Sequence, residues 1–127
     1  WRNCKGHSLT LSNTNPTHTA IITMRKIERL MNTAIANYQD WKLDNTEVVI
    51  YDNFTSVYLH DNLIARLGEN FVQIFDGGVK SKTTKSRLNA ILQENGCDGD
   101  SVFQKAHQWF LRVDGSVIPF ENGYTFS

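Results

Sequence analysis

The sequence predicts an α+β fold, a two-layer sandwich of one antiparallel sheet with two helices on one face. Three observations predict it. Apolar residues recur at helical spacing in two segments, residues 24–41 and the stretch from about Thr83 or Thr84 to Asn95. Short runs of strand character, separated by turn residues, fill the space between them. The connections between successive runs are too short for a parallel crossover, so neighbouring strands pair antiparallel. Two amphipathic helices laid over such a sheet bury the apolar faces of both layers.

In the first helical segment the apolar positions are Ile27, Leu30, Met31, Ala34, Ile35, Tyr38 and Trp41, one face of a helix, with Thr23 as the expected N-cap. Asp44-Asn45 turns the chain into four strand runs at 47–51, 56–60, 63–67 and 71–75. Asp52-Asn53, Asp61-Asn62 and Gly68-Glu69-Asn70 punctuate them. Gly77-Gly78 closes this meander. The second helix places Leu88, Ile91 and Leu92 on one face and stops at Gly96. Strand runs at 102–113 and 116–120, turned at Asp114-Gly115, and a short run at 124–126 complete the chain. Pro119 belongs at an edge or a strand end, because it has no N–H to donate. Tyr58, Phe71, Phe75, Phe103, Trp109 and Phe110 all fall in strand runs, and alternation sends some to each face. The face without helices is therefore expected to pack on another subunit of a trimer or dimer.

Residues 1–23 differ in character. From Ser8 to Thr19 the chain is almost wholly Ser, Thr, Asn, Pro and His, and Leu9 and Leu11 are its only large apolar residues. Such a stretch buries too little surface to offset the entropy of ordering it. It also lacks the apolar core of a signal peptide. The expectation is a flexible, dispensable extension at 1–23, read as upstream coding sequence, and a single domain at 24–127 that starts naturally at Met24.

Thirteen Lys and Arg balance thirteen Asp and Glu, so the net charge is zero. That balance argues against a protein whose affinity comes from neutralising phosphates, and no nucleic-acid partner is expected. No apolar run approaches a membrane span. Two cysteines, Cys4 and Cys97, suffice neither for a disulfide scaffold nor for a zinc site. Cys97 has no neighbouring cation to form a thiolate and reads as inert. The sequence has no dinucleotide fingerprint, P-loop or nucleophile elbow. His60 and His107 read as polar strand residues without companions at metal-ligand spacing, and Asp98-Gly99-Asp100 is only a fragment of a calcium loop. Neither a metal nor a cofactor is expected.

Two features invite a functional reading. Lys80, Lys82, Lys85 and Arg87 surround a helix N-terminus, which attracts anions, although a solvated helix start is the plainer interpretation. Tyr58, on the opposite side of its strand from Val57 and Leu59, and Glu69, in a hairpin at one end of the sheet, could together hold a cation against a ring face and a carboxylate. A packed tyrosine and a surface turn glutamate are the plainer alternative.

The domain from Met24 onward resembles the phage-encoded enzymes that degrade S-adenosylmethionine (SAM), first called SAM hydrolases and better described as SAM lyases. The likeness rests on overall length, the helix at 24–41, the run from Val57-Tyr58-Leu59-His60 to Glu69-Asn70-Phe71, and the aromatic closing hairpin at 103–120. It covers about four fifths of the chain. The resemblance implies a homotrimer with substrate between subunits, in the cytoplasm of an infected bacterial host. It also implies cleavage of SAM to 5′-methylthioadenosine and L-homoserine lactone, as the substrate carboxylate attacks its own γ-carbon. Tyr58 and Glu69 would be the catalytic pair. Phe71 and Gln104 would contact the adenosine or methionine part, and backbone at Gly77 and Gly78 would approach the substrate closely. Lactone formation is unimolecular and requires orientation more than a general base, which suits a chain without a His–acid pair. The competing expectation is a non-enzymatic phage protein that binds a host factor or nucleic acid through residues 80–87.

Overall fold

The computed structural model describes residues 24–127, and the expected N-cap Thr23 and extension at 1–23 lie outside them. Helix α1 (Lys26–Ala36) is followed by five strands, β1 (Trp41–Leu43), β2 (Thr46–Ile50), β3 (Thr55–Leu59), β4 (Asn62–Gly68) and β5 (Phe71–Ile74). Helix α2 (Lys82–Asn95) comes next, then β6 (Ser101–Lys105), β7 (Gln108–Val113), β8 (Ser116–Pro119) and β9 (Tyr124–Phe126). The α+β class and the antiparallel pairing are as expected. The strands form two sheets, however: six strands in the order β1-β2-β3-β4-β5-β9, and three in the order β6-β7-β8.

The first helix is shorter than its apolar pattern. It ends at Ala36, five residues before Trp41, which opens β1 and pairs with Val48. Its N-cap is Arg25, whose backbone N–H donates to Glu28 Oε1 at 3.1 Å. The buried stripe consists of Glu28, Met31, Asn32, Ala34 and Ile35, whereas Leu30 and Tyr38, expected on the same face, are exposed. Helix α2 begins where Ser81 accepts the Thr84 N–H at 3.1 Å, and it ends at Gly96.

The large sheet buries one face under the helices. Val48, Val57, Leu67, Val72 and Ile74 form that face with Met31, Leu88 and Ile91. Leu88 and Ile91 are fully buried, so each contributes on the order of 1.5–3 kcal/mol. The two helices are tied together by a buried ion pair between Arg87 Nη1 and Glu28 Oε2 at 2.7 Å. The same guanidinium donates through Nε to Thr46 Oγ1 and through Nη2 to Asn45 Oδ1, which fixes the β1–β2 hairpin to α2.

The expected long strand at 102–113 is a hairpin, β6 and β7, turned at Ala106-His107, where both residues have positive φ. It does not join the large sheet, and Asn89 of α2 meets the free edge of β6. The Asn89 amide donates to Val102 O at 2.9 Å and accepts from Val102 N at 2.7 Å, as a neighbouring strand would. Only β9 returns to the large sheet, where it pairs with β5. Pro119 ends the edge strand β8, as its missing N–H requires.

Candidate functional site

The β2–β3 loop and the β4–β5 turn emerge at the same end of the large sheet, and the last turns of both helices reach that end too. Between them lies a cleft of about 510 Å³. It is lined by Tyr38, Tyr51, Asp52, Phe54 and Glu69, with Ile35 and Ala36 of α1 and Asn95 of α2. The geometry favours positive charge for three reasons. Helix C-termini carry the negative end of the macrodipole. Asp52 and Glu69 add carboxylates. Tyrosine and phenylalanine rings offer faces that attract cations.

Glu69 is exposed in the tight turn between β4 and β5, where the sequence placed it. Phe71 braces this turn: it pairs with Gly68, and a Cβ at position 68 would overlap the Phe71 ring. Tyr58 is half-buried on the sheet face away from the helices, between Glu47 and Leu63. Leu63 precedes Glu69 by six residues, about 20 Å of extended strand, so within the chain Tyr58 and Glu69 are not adjacent. Tyr51 lines the cleft with Glu69, and its phenol pKa is raised first by hydrogen bonding with the Tyr58 side chain, with Glu47 adding to the effect and Arg66 opposing it. Arg66 lies over the Phe54 and Phe75 rings at 5.6 and 5.9 Å.

The other expected residues lie elsewhere. Gly77 and Gly78 follow β5 with positive φ, and the Gly78 N–H donates to Asp76 Oδ1 at 2.7 Å. Gly77 borders a second cleft of about 420 Å³, with His60, Asn62, Asp76 and Ser81, at the opposite end of β4 from Glu69. Gln104 is exposed on β6 and accepts from Lys85 Nζ at 3.4 Å.

The basic segment is not a uniform cationic surface. Arg87 is buried in its ion pair, and Lys80 pairs with Asp76 at 2.8 Å and lies over Trp109 and Phe120. Burial alone would raise the Asp76 carboxyl, but Lys80, the Gly78 N–H and the Asn122 amide outweigh it and hold the group below its ordinary pKa. His60 and His107 are turn residues with positive φ, not strand residues. Cys97 carries no free thiol. Among the described residues, no group of three or more His, Cys, Asp or Glu is placed to hold a metal.

The sequence reading missed Tyr38, Tyr51, Asp52 and Phe54 as site residues. Tyr38 satisfied the helical apolar pattern, and Asp52 served only as a turn marker. Tyr38 in fact sits just beyond the helix end, in the left-handed conformation at φ 53°. Its N–H donates to Ile35 O at 3.2 Å, and the Gln39 N–H donates to Ala34 O at 3.0 Å. That pair of bonds is a Schellman closure, whose left-handed residue is usually glycine. A tyrosine there costs on the order of 1 kcal/mol.

The fold and cleft define a small α+β sandwich with an anionic, aromatic cleft at one end of its main sheet. The chain belongs to the Kyanoviridae Gp96 protein family, whose profile matches residues 24–127, and it is of bacteriophage origin. No curated protein and no solved structure matches it. No helix among the described residues is long and apolar enough to cross a membrane.

Proposed function

We propose that this phage protein is a SAM lyase and that the Glu69 cleft receives the substrate. One observation carries the reading: a single cleft combines two carboxylates, three aromatic rings and the C-terminal turns of both helices. SAM presents complementary chemistry, since it bears an ammonium, a sulfonium and an aromatic base. The resemblance of the domain to SAM-degrading enzymes supplies the reaction.

In that reaction a substrate carboxylate oxygen attacks Cγ, the Cγ–S bond breaks, and its electron pair stays on sulfur. Methylthioadenosine and homoserine lactone leave with no water consumed and no proton transferred. The sulfonium charge disappears along the way, whereas the ammonium charge persists. A carboxylate held against the sulfonium would stabilise the ground state more than the transition state. Glu69 is therefore assigned to the ammonium, where it folds the methionine chain into the attacking geometry. The rings of the cleft exclude water and cradle the adenosine. Tyr58 acts on the cleft through Tyr51. Phe71 holds the turn that presents Glu69. Gly77, Gly78 and Gln104 lie away from the cleft within one protomer, so a part for them in the site requires a neighbouring subunit of the proposed homotrimer.

The test is to incubate the protein with SAM and separate the products by chromatography, with Glu69→Gln alongside. We expect methylthioadenosine and homoserine lactone, with homoserine appearing later, and a loss of kcat/KM of about 100-fold in the variant, as misorientation produces. Intact SAM would overturn the enzyme reading. Homoserine formed directly, with oxygen from labelled water, would overturn the lyase reaction.

A further inference from the structure

Tyr38 closes α1 in a conformation that tyrosine disfavours, and its side chain gives the core little in return, being 76% exposed. Among the described residues, the other six non-glycine positions with positive φ (Asp44, His60, Asp61, Ala106, His107 and Asp114) all lie in two-residue hairpin turns, where strand twist favours that conformation. No strand pairing constrains position 38, so glycine would serve the helix end better. Tyr38 nevertheless lines the same cleft as Asp52 and Glu69. Backbone strain retained at a cleft, by a residue the core does not need, points to a role in binding.

We propose that Tyr38 is a ligand-binding residue that lays its ring face over the positive charge of an organic cation seated against Asp52 and Glu69. The ligand class is a small ammonium or sulfonium compound. The inference takes its site from the proposed SAM lyase reading and deepens it by naming a residue that selects charge.

The experiment compares wild type, Tyr38→Gly and Tyr38→Phe. Affinity is measured for sinefungin, a non-cleavable SAM analogue with an amine-bearing carbon in place of the sulfonium, and for choline, a simple quaternary ammonium. Melting temperature is recorded without ligand. Tyr38→Gly is expected to melt a few degrees higher than wild type, because the strain is relieved. It should bind sinefungin at least about tenfold more weakly, the scale of a lost cation–ring contact. Tyr38→Phe should bind within about twofold of wild type, since the ring face is kept. Wild-type affinity in Tyr38→Gly would overturn this inference alone and leave the lyase reading standing. An unchanged or lower melting temperature in that variant would also overturn it, by removing the strain from which it starts. Choline binding that Tyr38→Gly abolishes, with no sinefungin binding in any form, would support the role of Tyr38 and overturn SAM as the substrate. A wild type that binds neither probe would overturn both.

Discussion

Two carboxylate sites in this protein face opposite fates. Glu28 is buried 2.7 Å from Arg87, and its charge is matched inside the fold. Asp52 and Glu69 stand exposed around a cleft, beside aromatic rings and the C-terminal turns of both helices. The first arrangement fixes α1 against α2 and against the β1–β2 hairpin. The second lines a solvent-accessible cleft at one end of the main sheet. Carboxylates that brace a fold and carboxylates that line a cleft are therefore distinguished by burial and geometry, not by residue type.

The largest test of that contrast is Arg87→Met. It leaves the Glu28 carboxylate buried without its guanidinium, and urea unfolding should show a loss of about 3–5 kcal/mol. Glu69→Gln should leave stability within about 0.5 kcal/mol, as exposed substitutions do, while it lowers the proposed activity about 100-fold. Equal destabilisation by the two variants would break the distinction.

Next in size is Asn89→Ala. The Asn89 amide stands in for a strand against Val102, and its removal leaves a backbone N–H and C=O without those bonds. A loss of about 1–3 kcal/mol is expected, and hydrogen exchange should be fastest in β6.

The smallest effect concerns acid. Asp76 is held below its ordinary pKa, so the folded protein binds that proton less readily than the unfolded chain. Its stabilisation is complete above the ordinary carboxylate value of about 4 and disappears as pH falls through the lower folded value. The stability difference between wild type and Asp76→Asn should shrink between pH 5 and the acid limit, about 2, when read by urea midpoints.

Much of the fold was legible because its turns announce themselves. Asp44-Asn45 and Asp114-Gly115 are strong hairpin signals, and both fall between paired strands. Ala106-His107 turns the chain as tightly, but neither residue favours turns, so two strands read as one. Trp41 continued the helical period although the helix had closed at Ala36, because an apolar residue at the right offset serves a strand equally well. The division into two sheets was not legible, since the turn-separated strand runs on either side of α2 have the same alternating pattern and nothing in that pattern says which sheet a run joins. Glu69 could be placed at a sheet end from its hairpin alone. Tyr38, Tyr51, Asp52 and Phe54 could not be grouped with it, because the cleft joins four chain segments that only packing brings together.

The most direct test of the cleft as a cation site is the affinity ratio between S-adenosylhomocysteine and its analogue without the amino group, in wild type and Glu69→Gln. Both ligands share the adenosine, the thioether and the carboxylate, so the ratio isolates the ammonium charge. The cleft predicts that wild type favours S-adenosylhomocysteine by at least about tenfold and that Glu69→Gln narrows the preference. Equal affinities in wild type, or a ratio unchanged in the variant, would contradict recognition of that charge by this cleft.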